Sequence, residues 1–443
     1  MADDIQTTHL VRRAGFGATA REAAAAAAQG YSATVEQLVG GLGQPDDGAD
    51  AITPPAFGAP LAYYTSLRQA RRSGDTAATK SIERQLRAEF GTLTDWWLAR
   101  MVATTNPLRE KLTFLLHGHF PTAISKVRIP SFMYGQNQIF RSQGAGAFDA
   151  LTLAVATDPA MLIWLDAGSD KAADPNENFA RELMERFTMG IGTYHEADVR
   201  AAAYAFTGWR VDLATAGFTI DERNHSPVVQ HVLGTPVNTG QEVIDLVTHS
   251  AASARYVPAA FWSHLAYPVS PSDPVVTDLS GAYAADLNVT NLVRAIFLHP
   301  LFTSSTATTG LVKQPVEYVV GSLRALGVPA SEVSVAGKKL VGTLAAMGQV
   351  LFDPPSVGGW SQNSYWLSTA AALARWTFAH DLAAKADLSP VADASPASRI
   401  DAVGALLSVP QWSPATATAL TKASGDPALI TTLALVSPEY VTN

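Results

Sequence analysis

The side chains best suited to chemistry fall in two clusters. The first is Leu115-Leu116-His117-Gly118-His119-Phe120-Pro121, where two histidines stand one residue apart. Inside a continuous helix their directions differ by about 200°, so they cannot share a ligand. Gly118 and Pro121 predict that the helix ends here, which lets the two imidazoles converge on one divalent ion as metal ligands. The plainer alternative is that one imidazole sits at a helix C-terminus, where a cation is favoured, while the other is a hydrogen-bonded core residue.

The second cluster runs from Asn176 to Phe187. Helical spacing puts Phe179, Leu183 and Phe187 on an apolar stripe and Asn178, Arg181, Glu182 and Glu185 together on a polar side. Read for function, Glu182, Glu185 and Glu177 are candidate catalytic carboxylates, and Arg181 and Asn178 contact the substrate. Carboxylates whose pKa values are pushed apart can act as acid and base, or they can complete a metal site begun by the histidines. Read for structure, Glu177 closes a capping box with Asp174, and Glu177–Arg181 and Glu182–Arg186 are i,i+4 ion pairs worth a few tenths of a kcal/mol. Two aromatic loops add to the candidates. Thr207-Gly208-Trp209 precedes a loop with His225 and His231, making Trp209 and His225 possible pocket walls. Gly358-Gly359-Trp360 offers an indole platform for the apolar face of a sugar; alternatively, Trp360 and Trp366 are core anchors.

Helices must position these groups. Thr19 to Glu22 forms a capping box and Gly30 closes the helix it opens. Asn106-Pro107 starts another helix with proline at its first position. Asp174-Pro-Asn-Glu177 and Thr193-Tyr-His-Glu196 are further start signals, and Gln314-Pro315 opens a helix that runs to Gly327. Strand patterns are scarce, and the best place for a short β-hairpin is 217–233. The expectation is an all-α fold: one large helical domain over 1–443 with long loops, a motif-bearing core at 106–235 and a second motif-bearing segment at 311–380.

Composition narrows the function. The 443 residues carry a net charge of −8, only 16% are charged, and cysteine is absent. Disulfides, thiolate metal sites and cysteine nucleophiles are therefore excluded. An acidic, lightly charged chain argues against nucleic acid as a partner. No apolar run reaches the length of a membrane span, and no signal peptide is visible, so the chain is expected to be cytoplasmic, or exported and shown without its signal. Walker, dinucleotide-binding, nucleophile-elbow and zincin motifs are all missing. One stretch departs from the overall balance: residues 64–128 hold 11 basic and 5 acidic side chains, a local excess of +6. Solvated helix faces explain such a run, and so does an electropositive rim for an anionic substrate or partner.

Six segments together resemble the bacterial family known as domain of unknown function 1800. They are His9-Leu-Val-Arg-Arg-Ala-Gly-Phe-Gly17, Leu116-His-Gly-His-Phe120 (where the family usually has Trp-His-Asn-His-Phe), and Pro175-Asn-Glu-Asn-Phe-Ala-Arg-Glu-Leu-Met-Glu185. The others are Glu196-Ala-Asp-Val199 through Thr207-Gly-Trp209, Lys313-Gln-Pro-Val-Glu317, and Met347-Gly-Gln through Gly358-Gly-Trp360. The chain departs from the family at His225-Ser-Pro-Val-Val-Gln230, which lacks the usual Asp and Lys, at Arg186, where Leu is usual, and at His195, where Thr is common. The resemblance implies an all-helical bacterial protein, often exported and often encoded near a sulfatase-like companion, with no settled reaction. The leading expectation is a metal-assisted hydrolase with a pocket of His117, His119 and the 177–185 glutamates, holding one divalent ion that activates water. Alternatives are a metal-free carboxylate glycoside hydrolase and a non-enzymatic helical binding or assembly partner of a companion protein; a haem ligated by one histidine is a more distant reading. The ligand is expected to be a small molecule or carbohydrate.

Overall fold

Proline at the first helical position loses no intrahelical bond and presets φ for the first turn. This device opens the helices Pro60–Arg72, Pro107–His119, Pro130–Gln143, Pro274–Ala284, Pro315–Ala325 and Pro427–Leu435. The Thr19 capping box forms as expected, with the Glu22 carboxylate accepting from the Thr19 N–H at 2.8 Å. The computed structural model describes residues 2–442, and in it the chain is mostly helical. Its strands form two separate two-stranded antiparallel hairpins. β1 (Trp209–Asp212) pairs with β2 (Gly217–Ile220), and β3 (Gln230–Val232) pairs with β4 (Thr235–Val237). The expected single hairpin at 217–233 is thus split in two. Leu233 and Gly234 both take positive φ, the geometry of a two-residue turn matched to strand twist.

Two apolar cores sit on either side of the Pro107–His119 helix. Leu108, Leu112, Leu115 and Leu116 belong to the first, with Phe120, Phe148, Phe179, Phe206 and Trp262. Phe114 belongs to the second, with Trp97, Val319, Phe352 and Tyr440. This helix is hydrophobic on two sides because it is the wall between the cores. Two of its charged residues, Glu110 and Lys111, are buried with partners. Lys111 pairs with Glu317 of the Pro315–Ala325 helix. Glu110 is fully buried and takes hydrogen bonds from Arg100, Arg141 and the Trp97 indole. Farther along the Pro315–Ala325 helix, Arg324 reaches the Val102 and Thr104 carbonyls at 2.9 Å and Glu22 at 2.6 Å. It thereby ties the N-terminal helices to the C-terminus of the Thr76–Ala103 helix.

Two helix starts differ from expectation. Asn176, not Asp174, caps the Glu177–Glu182 helix, accepting from the Asn178 N–H at 2.9 Å. His195, not Thr193, precedes the Glu196–Phe206 helix, and Asp198 returns to its N–H at 2.8 Å. At Asn176 a polar side chain next to the first helical residue accepts an orphan N–H, whereas at His195 the cap residue's own N–H is taken by Asp198 from within the helix.

Candidate functional site

The helix that carries the two histidines does not stop at Gly118; it continues through His119. The imidazoles therefore point to opposite cores. His117 is boxed by Trp97, Phe352 and Trp360, with ring centroids 5.3–5.4 Å away, and its Nε2 accepts the Phe352 N–H at 3.1 Å. His119 packs on Phe120 and Phe148 and donates from Nε2 to the Phe187 carbonyl at 2.8 Å. Burial pulls His117 down to about 3 and His119 down to about 4, so both are neutral at pH 7.

The Glu177–Glu182 helix runs directly into a π-helical turn, Leu183–Thr188. Its signature is the Met189 N–H bonded to the Met184 carbonyl, five residues back, at 2.9 Å. The extra residue per turn breaks the 3.6 periodicity, and the expected Glu182–Arg186 pair is replaced by Arg186 beside Glu185 at 3.4 Å. Glu185 takes the Tyr194 hydroxyl at 3.2 Å. Glu182 is buried; desolvation first, and then Glu185, hold its carboxyl above the usual range. Arg181 spans Glu177 at 2.9 Å and Glu196 at 2.7 Å, joining this helix to the Glu196–Phe206 helix. Asn178 donates to the Leu165 carbonyl at 3.3 Å. Trp209 is a core residue against Phe206, and His225 donates from Nδ1 to the Thr207 carbonyl at 2.8 Å.

These placements overturn the metal expectation. Among the described residues no three His, Cys, Asp or Glu side chains are grouped to hold an ion. His117 and His119 cannot complete such a group, because one helix turns them apart and core hydrogen bonds occupy the Nε2 of each. The expected divalent cofactor, the metal-assisted hydrolase mechanism and the favoured hydrolase assignment are withdrawn with it. None of the three cavities described below is lined by Glu177, Glu182 or Glu185.

Three cavities bear on function. The largest, about 880 Å³, is apolar and lies between the Ala330–Ala346 and Thr369–Ala383 helices. Lys339 and Asp381, both among its lining residues, pair at 2.6 Å, and none of the six sequence segments contributes to it. The second, about 810 Å³, lies beside the Pro60–Arg72 helix. The third is small, about 190 Å³, and three of the six segments meet there. Gly118 comes from the histidine helix, Gln314 from the Lys313–Glu317 segment, and Gly358 and Trp360 from the aromatic loop. Trp360 stacks on Phe114 at 6.3 Å. Gln314 is fixed from behind, because Gln349 donates to its side-chain oxygen at 2.7 Å and accepts the Val316 N–H at 3.0 Å. Gln362 donates to His264 Nδ1 at 2.9 Å. Burial, followed by the influence of His119, lowers His264 to about 4.

Of the pocket's polar groups, the sequence singled out Trp360 alone. Gln314 and Gln362 lay within or beside recognisable segments, whereas His264, on the Ser253–Leu265 helix, carried no local signal. One consequence is measurable. The unfolded chain protonates its histidines near the ordinary value of 6.5, whereas His117, His119 and His264 resist until about 3–4. Each buried imidazole is therefore expected to lower stability as pH drops below about 6.5, by up to about 1.4 kcal/mol per pH unit, while the buried carboxyls of Asp158 and Asp170, raised to about 7, contribute a slope of the opposite sign. Urea midpoints at pH 7.5, 6 and 5 for the chain and for His264→Gln check this; a variant with the same pH slope as the parent would show that ring to be solvated.

The fold and pocket define a mostly helical protein in which three of the six recognisable segments meet at a small polar cavity. A family model described as "Protein of unknown function (DUF1800)" matches residues 9–442, and the chain belongs to that family. No curated protein and no solved structure matches it significantly. Among the described residues no helix is long and apolar enough to cross a membrane.

Proposed function

We propose that this chain is a binding protein that holds a small neutral polyhydroxylated molecule, such as a sugar ring, at the Trp360 pocket. The observation that carries the reading is the pocket's chemistry. Amide, imidazole, hydroxyl and indole groups gather there, and no carboxylate is among them. An indole offers an apolar face to a sugar, and neutral amides and an uncharged imidazole exchange hydrogen bonds with hydroxyls without the cost of burying an ion. The volume suits one ring, or about six waters at roughly 30 Å³ each. The Lys111–Glu317 and Gln314–Gln349 contacts join elements behind the pocket and hold its Gln314 wall in place.

Titration calorimetry of the full chain against a panel of monosaccharides and sugar alcohols tests the proposal. At least one compound is expected to bind and to come off unchanged. Trp360→Ala is expected to weaken it by about tenfold or more, through loss of stacking worth about 0.5–1.5 kcal/mol and the accompanying burial. Binding that survives Trp360→Ala, absence of binding across the panel, or release of a cleaved product would overturn it.

A further inference from the structure

Seven of the eleven basic residues between 64 and 128 fall into two contrasting groups. Arg100 and Lys111 are buried and paired with carboxylates inside the fold. Arg68, Arg71, Arg72, Lys126 and Arg128 instead line one cleft of about 810 Å³, and no acidic residue lines it with them. Arg68, Arg71 and Arg72 share the last turns of the Pro60–Arg72 helix at i, i+3 and i+4, hence one face. A helix C-terminus favours cations, which accounts for some of this arrangement. It does not account for Lys126 and Arg128, which arrive from a separate segment more than fifty residues later and close the opposite wall.

Two of the five are engaged. Arg71 has Glu83 at 3.7 Å, and Lys126 has Asp166 at 2.7 Å. Arg68, Arg72 and Arg128 are exposed and have no ion-pair partner among the described residues. Arg128 also holds a left-handed backbone, φ 64°, which an arginine adopts at a cost. The floor between the charges is apolar: Val127 and Ile129 are buried, while Tyr64, Leu67 and Leu213 are half-buried. In a chain of net charge −8, this is a local reversal of field inside a concave wall, which concentrates anions.

We propose that this cleft binds a phosphate ester with an apolar body, its oxyanion held by Arg68, Arg72 and Arg128 and its body lying on the Tyr64–Leu67–Val127 floor. Guanidinium forks match the oxygens of a phosphate in pairs, and three unpaired forks around one cleft fit a dianionic head group better than a single carboxylate. The site is separate from the Trp360 pocket and does not depend on that reading. The ester can come from a free molecule or from the head group of a phospholipid; the chemistry recognised is the same.

Calorimetry of the full chain with octyl phosphate at low salt is the test, with octyl glucoside as a neutral partner of the same tail. Octyl phosphate is expected to bind, to weaken as sodium chloride rises, and to bind far better than octyl glucoside. The triple variant R68Q/R72Q/R128Q is expected to lose about 30-fold or more in affinity, at an unchanged melting temperature because all three side chains are exposed. Lysine at the same three positions keeps the charge without the forks and is expected to fall between. Co-sedimentation with phosphatidic acid vesicles that is lost in the triple variant assigns the lipid source. Octyl phosphate binding without co-sedimentation assigns the free ester. Absence of octyl phosphate binding, equal binding by the triple variant, or equal binding of octyl glucoside overturns the proposal.

Discussion

Replacing Glu110 by alanine is expected to destabilise the folded chain by about 3–5 kcal/mol, the usual cost of removing one partner from a buried ion pair. Glu110 is fully buried at the meeting of three helices. Its Oε1 accepts from Arg100 Nε at 3.1 Å and Arg141 Nε at 2.8 Å; its Oε2 accepts from Arg141 Nη2 at 2.9 Å and the Trp97 indole at 3.0 Å. Both guanidinium groups also lie over the Trp96 ring, at 5.3 and 5.2 Å. Alanine leaves the Arg141 charge without a counter-ion in the interior and deprives Arg100 of its buried carboxylate, though Arg100 keeps Asp50 at 2.8 Å. Urea denaturation of both proteins measures the loss. A loss under 1 kcal/mol would mean that water reaches the arginines. The double variant Glu110→Met with Arg141→Met is expected to be less damaged than Glu110→Ala, because removing both charges leaves less uncompensated. The pH dependence has a definite sign. Burial pushes the Glu110 carboxyl up, but Arg141 and Arg100 outweigh it and its folded pKa is lowered. Its stabilisation is thus present above the ordinary carboxylate range and is lost as pH falls through that range towards the folded value.

What could be read from the sequence was what short-range chemistry encodes. The Thr19 capping box and the Asn106-Pro107 and Gln314-Pro315 helix starts depend on neighbours within four residues, and each forms where its residues stand. The π-turn at Leu183–Thr188 was not readable, because an i to i+5 hydrogen bond leaves no periodic mark on side-chain polarity. That turn sets Arg186 beside Glu185 instead of in the expected pair with Glu182. Nor could the sequence sort its basic run. Arg100 and Arg68 are the same residue type on neighbouring helices, yet Arg100 is locked to Glu110 and Arg68 faces a cleft. The difference comes from which helix packs against which, a long-range fact. His264 entered the pocket from a helix with no recognisable motif, for the same reason.

Gly118 stands one residue before the end of its helix at His119, and it supports a prediction with two opposite signs. Glycine within a helix usually signals its end or a weakness. Here the helix passes through Gly118, and the residue's carbonyl oxygen lies against the turn at Gly359. A Cβ on Gly359 would stand 2.5 Å from that oxygen, and Gly359 also holds φ +70°. Gly359→Ala is therefore expected to cost about 2–5 kcal/mol, combining left-handed strain of about 1–2 with an overpacking term of about 1–3. Because Trp360 is the next residue, the same change is expected to displace the indole and abolish binding at the pocket. A Cβ on Gly118 meets nothing within 4 Å. Gly118→Ala is accordingly expected to be neutral or to stabilise by about 0.5–1 kcal/mol through helix propensity. The asparagine usual at this position in the family pattern is compatible with that open space. Thermal melts and titrations of the two variants side by side separate the cases: equal damage from both would mean that the loop rests on the helix through Gly118 itself. Damage from Gly359→Ala alone would establish that the pocket's indole is held by a contact between backbones, which side-chain motifs cannot report.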